Sequence, residues 1–199
     1  MEITVLGAHH LETSSSWLAG LLVDGALALD AGSLSSGLTL EEQKRVKAIL
    51  ITHHHFDHVK DLPLIGLATG HDSTKEVCAP ERTLQFVRAH LLDGDIYPRM
   101  DEWPSVEKPS FRLRALEALQ QVEIAGYRVK PVQVKHGAVF AVGYEVASRE
   151  GSTLFYTGDT GGELSSCWQH TSPTLLALEV SLPDSHQDTA QRAGHLTPS

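Results

Sequence analysis

Cysteine, positive charge and long apolar runs are all scarce in this sequence, and each scarcity removes a class of protein. Only two cysteines occur among 199 residues, Cys78 and Cys167, with no CxxC spacing between them. They read as buried or partly buried free thiols in a reducing cytoplasm, although spacing alone does not decide whether they pair. No apolar stretch is long enough to span a bilayer, and the opening "MEITVLGAHH" lacks the basic start and apolar core of a secretory signal. The expectation is a cytoplasmic protein with no membrane partner. Lys and Arg number 16 against 25 Asp and Glu, a formal charge of −9. That balance repels polyanions, so no long nucleic acid is expected as a partner, whereas a small anionic substrate held by metal is compatible with it.

What remains is ordinary globular composition, 41% hydrophobic and 21% charged, enough for one well-buried domain over residues 1–199. There is no internal repeat and no low-complexity segment. Short apolar or alternating runs predict strands at "EITVLG", on both sides of the Asp24–Gly25 turn, at "AILIT", at "KEVCA" and repeatedly from Phe111 to Asp159. "TLLALEVSL" predicts a final buried strand. Helices are expected after Thr39, where Glu42 completes a capping box, across "VKDLPLIGLAT" with Pro63 in the first turn, over "PERTLQFVRAHLL", and briefly over "GELSSCWQH". Asp93–Ser110, with three prolines, reads as an irregular excursion, a lid or rim within the same domain. The fold class is therefore α/β (or α+β) with two sheets.

Against that background one stretch stands apart. "ILITHHHFDHVKDLP" carries four histidines and an aspartate within six positions, directly after an apolar strand. Unpartnered imidazoles and carboxylates are costly to desolvate, so such crowding calls for a bound partner. In extended backbone His53, His55 and Asp57 project to one face, and His58 swings back as the chain turns into a helix. The pairs His53 with His55 and Asp57 with His58 offer nitrogen and carboxylate donors to two adjacent cations, suited to zinc first and manganese second rather than to calcium.

"THHHFDH" at Thr52–His58 resembles the T-H-x-H-x-D-H signature of the metallo-β-lactamase superfamily. The resemblance spans nearly the whole chain and implies a four-layer αββα sandwich binding two divalent ions. By the same resemblance "LALDAG" makes Asp30 a support for the metal loop, "VQVKHG" makes His136 the third histidine of the first ion, and "FYTGDTG" makes Asp159 the bridging carboxylate. Asp57 would also orient a hydroxide held between the two ions.

"LEVSLPDSHQDTAQRAGHLTP" is similar to the corresponding segment of class II cyclic-nucleotide phosphodiesterases, and to that of tRNA 3′-end-processing nucleases. It implies that His195 contacts the phosphate or protonates the leaving oxygen and that Glu179 orients His195. The implied activity is hydrolysis of a phosphodiester, a cyclic nucleotide of the cAMP or cGMP type foremost, by a protein that pairs as a homodimer. Thioester, lactone or β-lactam hydrolysis, tRNA processing, and an impaired metal-binding module stay open as alternatives. The sequence departs from the family pattern where it stops at Ser199, before the last histidine ligand. The second metal site is therefore expected to be incomplete and the fold to lack its final strand and helix, with His9, His10 or His186 as conceivable substitutes.

Overall fold

The computed structural model describes residues 1–162 and 164–199, and the chain divides into two compact units, Met1–Ala115 and Leu116–Ser199. The first unit is built on a six-stranded sheet whose strands follow sequence order. They are β1 (Ile3–Gly7), β2 (Gly20–Val23), β3 (Leu27–Leu29), β4 (Ala48–Leu50), β5 (Lys75–Ala79) and β6 (Phe111–Ala115). The first three pair antiparallel, and β3 through β6 run parallel. Asp24 and Gly25 both take positive φ, 47° and 66°, as the two-residue turn between β2 and β3 requires.

Helices α1 (Leu34–Gly37), α2 (Leu40–Arg45), α3 (Phe56–Val59), α4 (Leu62–Thr69) and α5 (Glu81–His90) fill the connections. The expected capping box starts α2: Glu42 N–H donates to the Thr39 hydroxyl, and Thr39 N–H donates to Glu42 Oε2 at 2.8 Å. Pro63 sits in the first turn of α4, where no N–H is needed. Ile49, Ile51 and Val77 pack against Leu34, Leu62, Ile65 and Val87. Their alternates Leu27, Leu29, Leu50 and Cys78 are also fully buried, which is why these parallel strands read as unbroken apolar runs. Burial pushes the Cys78 thiol up to about 12, and both cysteines are free and buried, so neither is a ready nucleophile. Asp93–Ser110 is irregular, as expected. It is anchored rather than lid-like, because Met100 is fully buried in the core and its carbonyl accepts from Phe111 N–H at 2.9 Å.

The second unit carries a five-stranded sheet in the order β11-β10-β9-β8-β7. Its strands are β7 (Val122–Ile124), β8 (Tyr127–His136), β9 (Val139–Ala147), β10 (Thr153–Tyr156) and β11 (Leu175–Ala177). A short helix, α6 (Ser165–Trp168), packs Cys167 against Val132, Val134 and Phe155. Glu163, in the stretch expected to form that helix, lies outside the described residues. Two expectations are corrected here. β11 is an edge strand with Leu175 and Leu176 half exposed, not a buried strand, because β10 alone pairs with it. A helix absent from the sequence reading, α7 (Gln187–Ala193), precedes Gly194. Among the described residues, no helix is long and apolar enough to cross a membrane.

Strand direction decides where chemistry can gather. Asp30 and His53 follow the carboxyl ends of the parallel strands β3 and β4, hence the same edge of the first sheet. Since β9 is antiparallel to both β8 and β10, and β11 is parallel to β10, the carboxyl ends of β8, β10 and β11 share one edge of the second sheet. His136, Asp159 and Glu179 all lie at that edge, at or just beyond the carboxyl ends of β8, β10 and β11.

One buried charge in the first unit makes a measurable prediction. Lys75 is fully buried at the start of β5, donates to the Val46 carbonyl at 2.8 Å, and has its pKa lowered to about 8 by burial, against the opposing pull of Asp72. A depressed lysine pKa means that the folded state binds fewer protons than the unfolded state between about pH 8 and the usual lysine value of about 10.5. Wild type should therefore gain stability relative to Lys75→Met as pH rises through that window. Urea unfolding of both proteins at pH 7, 8.5 and 10 checks it; a constant difference would contradict the assignment.

Candidate metal centre

The first donor group is assembled by the loop between β4 and α4. His53 leaves the end of β4, His55 is the N-cap of α3, and Asp57 and His58 lie inside α3. Asp57 thus reaches the group from a helical turn and not from the extended backbone that strand alternation suggested. The His53 ring lies 4.6 Å from that of His55 and 4.2 Å from that of His58, centroid to centroid. His58 Nε2 is 3.6 Å from Asp57 Oδ2. His54 turns away and stacks on Phe86, with centroids 4.1 Å apart and planes 5° from parallel.

Asp30 holds this loop. It directly follows β3 with φ of 61°, and it is completely buried. Its Oδ1 accepts from Thr52 N–H at 2.8 Å, its two oxygens share the Thr52 hydroxyl proton at 3.0 and 2.9 Å, and Oδ2 accepts from His58 Nδ1 at 2.7 Å. Because the Thr52 hydroxyl has given its hydrogen to Asp30, it accepts from His53 Nδ1 at 3.1 Å. Both buried imidazoles therefore carry their hydrogen on Nδ1 and their lone pair on Nε2. The neighbouring backbone completes the grip: Ala31 N–H donates to the His58 carbonyl at 2.7 Å, and Asp61 N–H to the Ala31 carbonyl at 2.8 Å. Gly32 is required here, since a Cβ would collide with the Asp57 carbonyl.

The second unit repeats this logic with other parts. His136, almost fully buried at the end of β8, donates from Nδ1 to the Gly194 carbonyl at 2.8 Å. A carbonyl can only accept, so here too Nε2 bears the lone pair, and it lies 3.9 Å from Asp159 Oδ2. His195 donates from Nδ1 to Glu179 Oε1 at 2.6 Å, its Nδ1 is 4.0 Å from Asp159 Oδ2, and its ring centroid is 4.9 Å from that of His136. Gly194, with φ of 80°, ends α7 in the left-handed conformation, and a Cβ on it would strike Gly137. That close approach puts the Gly194 carbonyl on His136 and turns His195 toward Glu179. Beside these groups, a cleft of about 450 Å³ is lined by His136, Lys135, Gln133, Ser166 and His170.

Of the sequence-derived residues, the first unit brings together His53, His55, Asp57 and His58, and the second brings together His136, Asp159, His195 and Glu179. Thr52 and the Gly194 carbonyl were not anticipated as holders of imidazoles, although both lie inside motifs already singled out. His10 reaches Asp57 Oδ2 at 3.3 Å, whereas His186 stands on an exposed turn with its Nδ1 3.0 Å from Ser185 Oγ. Buried imidazoles with oriented Nε2 lone pairs, next to carboxylates, are the donor set that zinc or manganese takes, so the residues fit divalent metal.

Asp30→Ala would leave His58 Nδ1, Thr52 N–H and the Thr52 hydroxyl buried without an acceptor. The expected cost is about 3–5 kcal/mol of folding stability and a loss of 10- to 100-fold or so in zinc affinity. Asp30→Asn, which keeps one acceptor oxygen, should lose less of both. Urea unfolding and zinc titration of the variants measure these effects.

Comparison with known proteins agrees with this geometry. The Beta-lactamase superfamily domain matches residues 22–199. No curated protein matches the sequence. Yeast PDE1 is similar in structure with a TM-score of 0.77 at 17% identity, over 98% of this chain and 79% of that one. The metallo-beta-lactamase fold protein YhfI from Bacillus subtilis gives 0.75 at 16%, over 98% and 76%. The short form of human tRNase Z gives 0.72 at 22%, over 100% and 85%. At such identities the structural likeness establishes the fold, and the matched span establishes the family. This chain therefore belongs to the beta-lactamase superfamily, whose members are hydrolases, and has the metallo-β-lactamase fold, which implies divalent metal ions.

Proposed function

We propose that the chain is a metal-dependent phosphodiesterase acting on a small anionic substrate, a cyclic nucleotide foremost. The first unit would offer His53, His55, Asp57 and His58, and the second His136 and Asp159, as ligands for divalent ions, zinc before manganese. The observation that carries the phosphodiester reading is the His195–Glu179 pair, 2.6 Å apart and next to the donors His136 and Asp159. A thioester expels a thiolate that leaves without a proton donor, whereas an alkoxide leaving from phosphorus gains from one. A cleft of about 450 Å³ suits a small molecule, and the charge of −9 disfavours a long RNA.

When bound, divalent ions neutralise the phosphoryl oxygens and make water acidic enough to act as a nucleophile near neutral pH. The remaining work falls to the chain itself. Asp57 accepts a hydrogen bond from the attacking water and sets its direction toward phosphorus. His195, with Nδ1 committed to Glu179, presents Nε2 as the only ring atom that can contact the phosphate or pass a proton to the departing oxygen. Glu179 is a positioning residue: its Oε1 holds His195 Nδ1, and both its oxygens accept from Leu196 N–H at 3.3 Å. No covalent intermediate with the protein is needed.

Purified protein with zinc or manganese should turn over bis(p-nitrophenyl) phosphate and cyclic AMP and leave a thioester and nitrocefin untouched. His195→Ala should keep its metal and fold while losing about 10²- to 10⁴-fold in turnover of cyclic AMP, whose departing alkoxide gains from a proton. Turnover of the thioester or the lactam alone would overturn the phosphodiester assignment. Metal binding with silence on all four substrates would point to a non-catalytic module.

A further inference from the structure

We infer that Phe86 is a positioning residue for the donor group of the first unit, acting on His55 through the ring of His54. The inference rests on the metal-dependent reading above and adds to it a side chain on α5 that offers no donor atom of its own. Strand order brings α5 to the loop. Since β4 and β5 pair in parallel, the histidines after β4 and the helix after β5 start from the same edge of the sheet. Ile51 N–H donates to the Cys78 carbonyl at 2.9 Å and extends that pairing up to the loop. The face of α5 that enters the core carries Thr83, Leu84 and Val87. Phe86 lies beside that face and is 37% exposed, so packing in the core does not by itself account for an aromatic ring there.

The stack on His54 accounts for it. The Phe86 and His54 rings lie 4.1 Å apart with planes 5° from parallel, and the His90 ring, one turn along α5, stands 5.6 Å from Phe86. The His55 ring in turn meets His54 edge-on, at 5.9 Å and 70°, and meets His53 edge-on, at 4.6 Å and 75°. Stacked and edge-on rings at such separations attract beyond the apolar area they bury. Asp30 orients His58 directly and His53 through the Thr52 hydroxyl. His55 begins α3 without capping it by its side chain, and it stands between the ring that Thr52 holds and the ring that Phe86 holds. Fixing both neighbours narrows the rotamers open to His55 before any ion arrives, and a donor held in place by its surroundings binds with less reorganisation.

Zinc titration and NMR of the apoprotein test the inference without reference to turnover. Phe86→Leu keeps an apolar side chain and removes the ring face. It should remain folded by urea unfolding yet bind zinc about 2- to 10-fold more weakly, the range that one lost ring pair is worth. Phe86→Tyr and His54→Phe, which keep both rings, should bind as wild type does. His54→Ala combined with Phe86→Leu should lose no more than His54→Ala alone, because the two rings act as one unit. In the metal-free protein the His54 ring protons should resonate upfield, under the Phe86 ring, and return downfield in Phe86→Leu. Unchanged zinc affinity in folded Phe86→Leu, losses that multiply in the double variant, or His54 signals that do not move would overturn the role of Phe86 and leave the metal-dependent reading standing. Wild type that takes up no zinc at all would remove both.

Discussion

The carboxylate of Asp30 is the constraint on which the donor group of the first unit depends. It is buried completely, in a left-handed backbone conformation that a hairpin strand and its following turn impose, and it accepts from Thr52 and His58. Isolated, such a charge would be expensive to desolvate; surrounded by donors, it organises them. One residue fixes the ring orientation of His58 directly and that of His53 through the Thr52 hydroxyl. Two imidazoles thereby present Nε2 in a defined direction before any ion arrives, which lowers the reorganisation that binding would otherwise require.

The second unit reaches the same end by packing backbone against backbone. Gly137 and Gly194 approach more closely than any side chain would permit, and the carbonyl of Gly194 falls on His136. The same turn directs His195 onto Glu179, sixteen positions earlier in sequence. A carboxylate holds the rings in one unit, and a carbonyl and a carboxylate hold them in the other. In both, Nδ1 is committed to the scaffold, so chemistry is left to Nε2. Strand direction makes this arrangement economical, since Asp30 and His53 in one sheet, and His136, Asp159 and Glu179 in the other, lie at or just beyond carboxyl ends that share an edge.

Much of this was legible in the residues themselves wherever the governing interaction was local. The capping box at Thr39 and Glu42, the Asp24–Gly25 turn, Pro63 in the first turn of α4 and the strand before His53 all rest on contacts a few positions apart, and they formed as read. Errors gathered where the outcome depended on distant neighbours. "TLLALEV" has the composition of a buried strand, yet its place at the edge of the sheet leaves Leu175 and Leu176 half exposed. The helix α7 has little apolar periodicity, with Ala190 its only buried residue, and so gave no sequence signal.

The histidine cluster shows the same division at the level of single atoms. Sequence by itself determined that His53, His55, Asp57 and His58 would gather, because a strand end followed by a helical turn brings residues so close in the chain together in space. It determined as well that a family of metal-dependent hydrolases was the frame in which to read them. Which ring nitrogen each histidine offers, that Gly194 rather than a side chain holds His136, and that His10 comes to rest against Asp57, forty-seven positions away, were decided by tertiary structure alone. The physical reason is that a ring's orientation is set by whatever accepts its Nδ1 hydrogen. For His58, His136 and His195 that acceptor is brought in by strand order and loop closure from 28, 58 and 16 positions away.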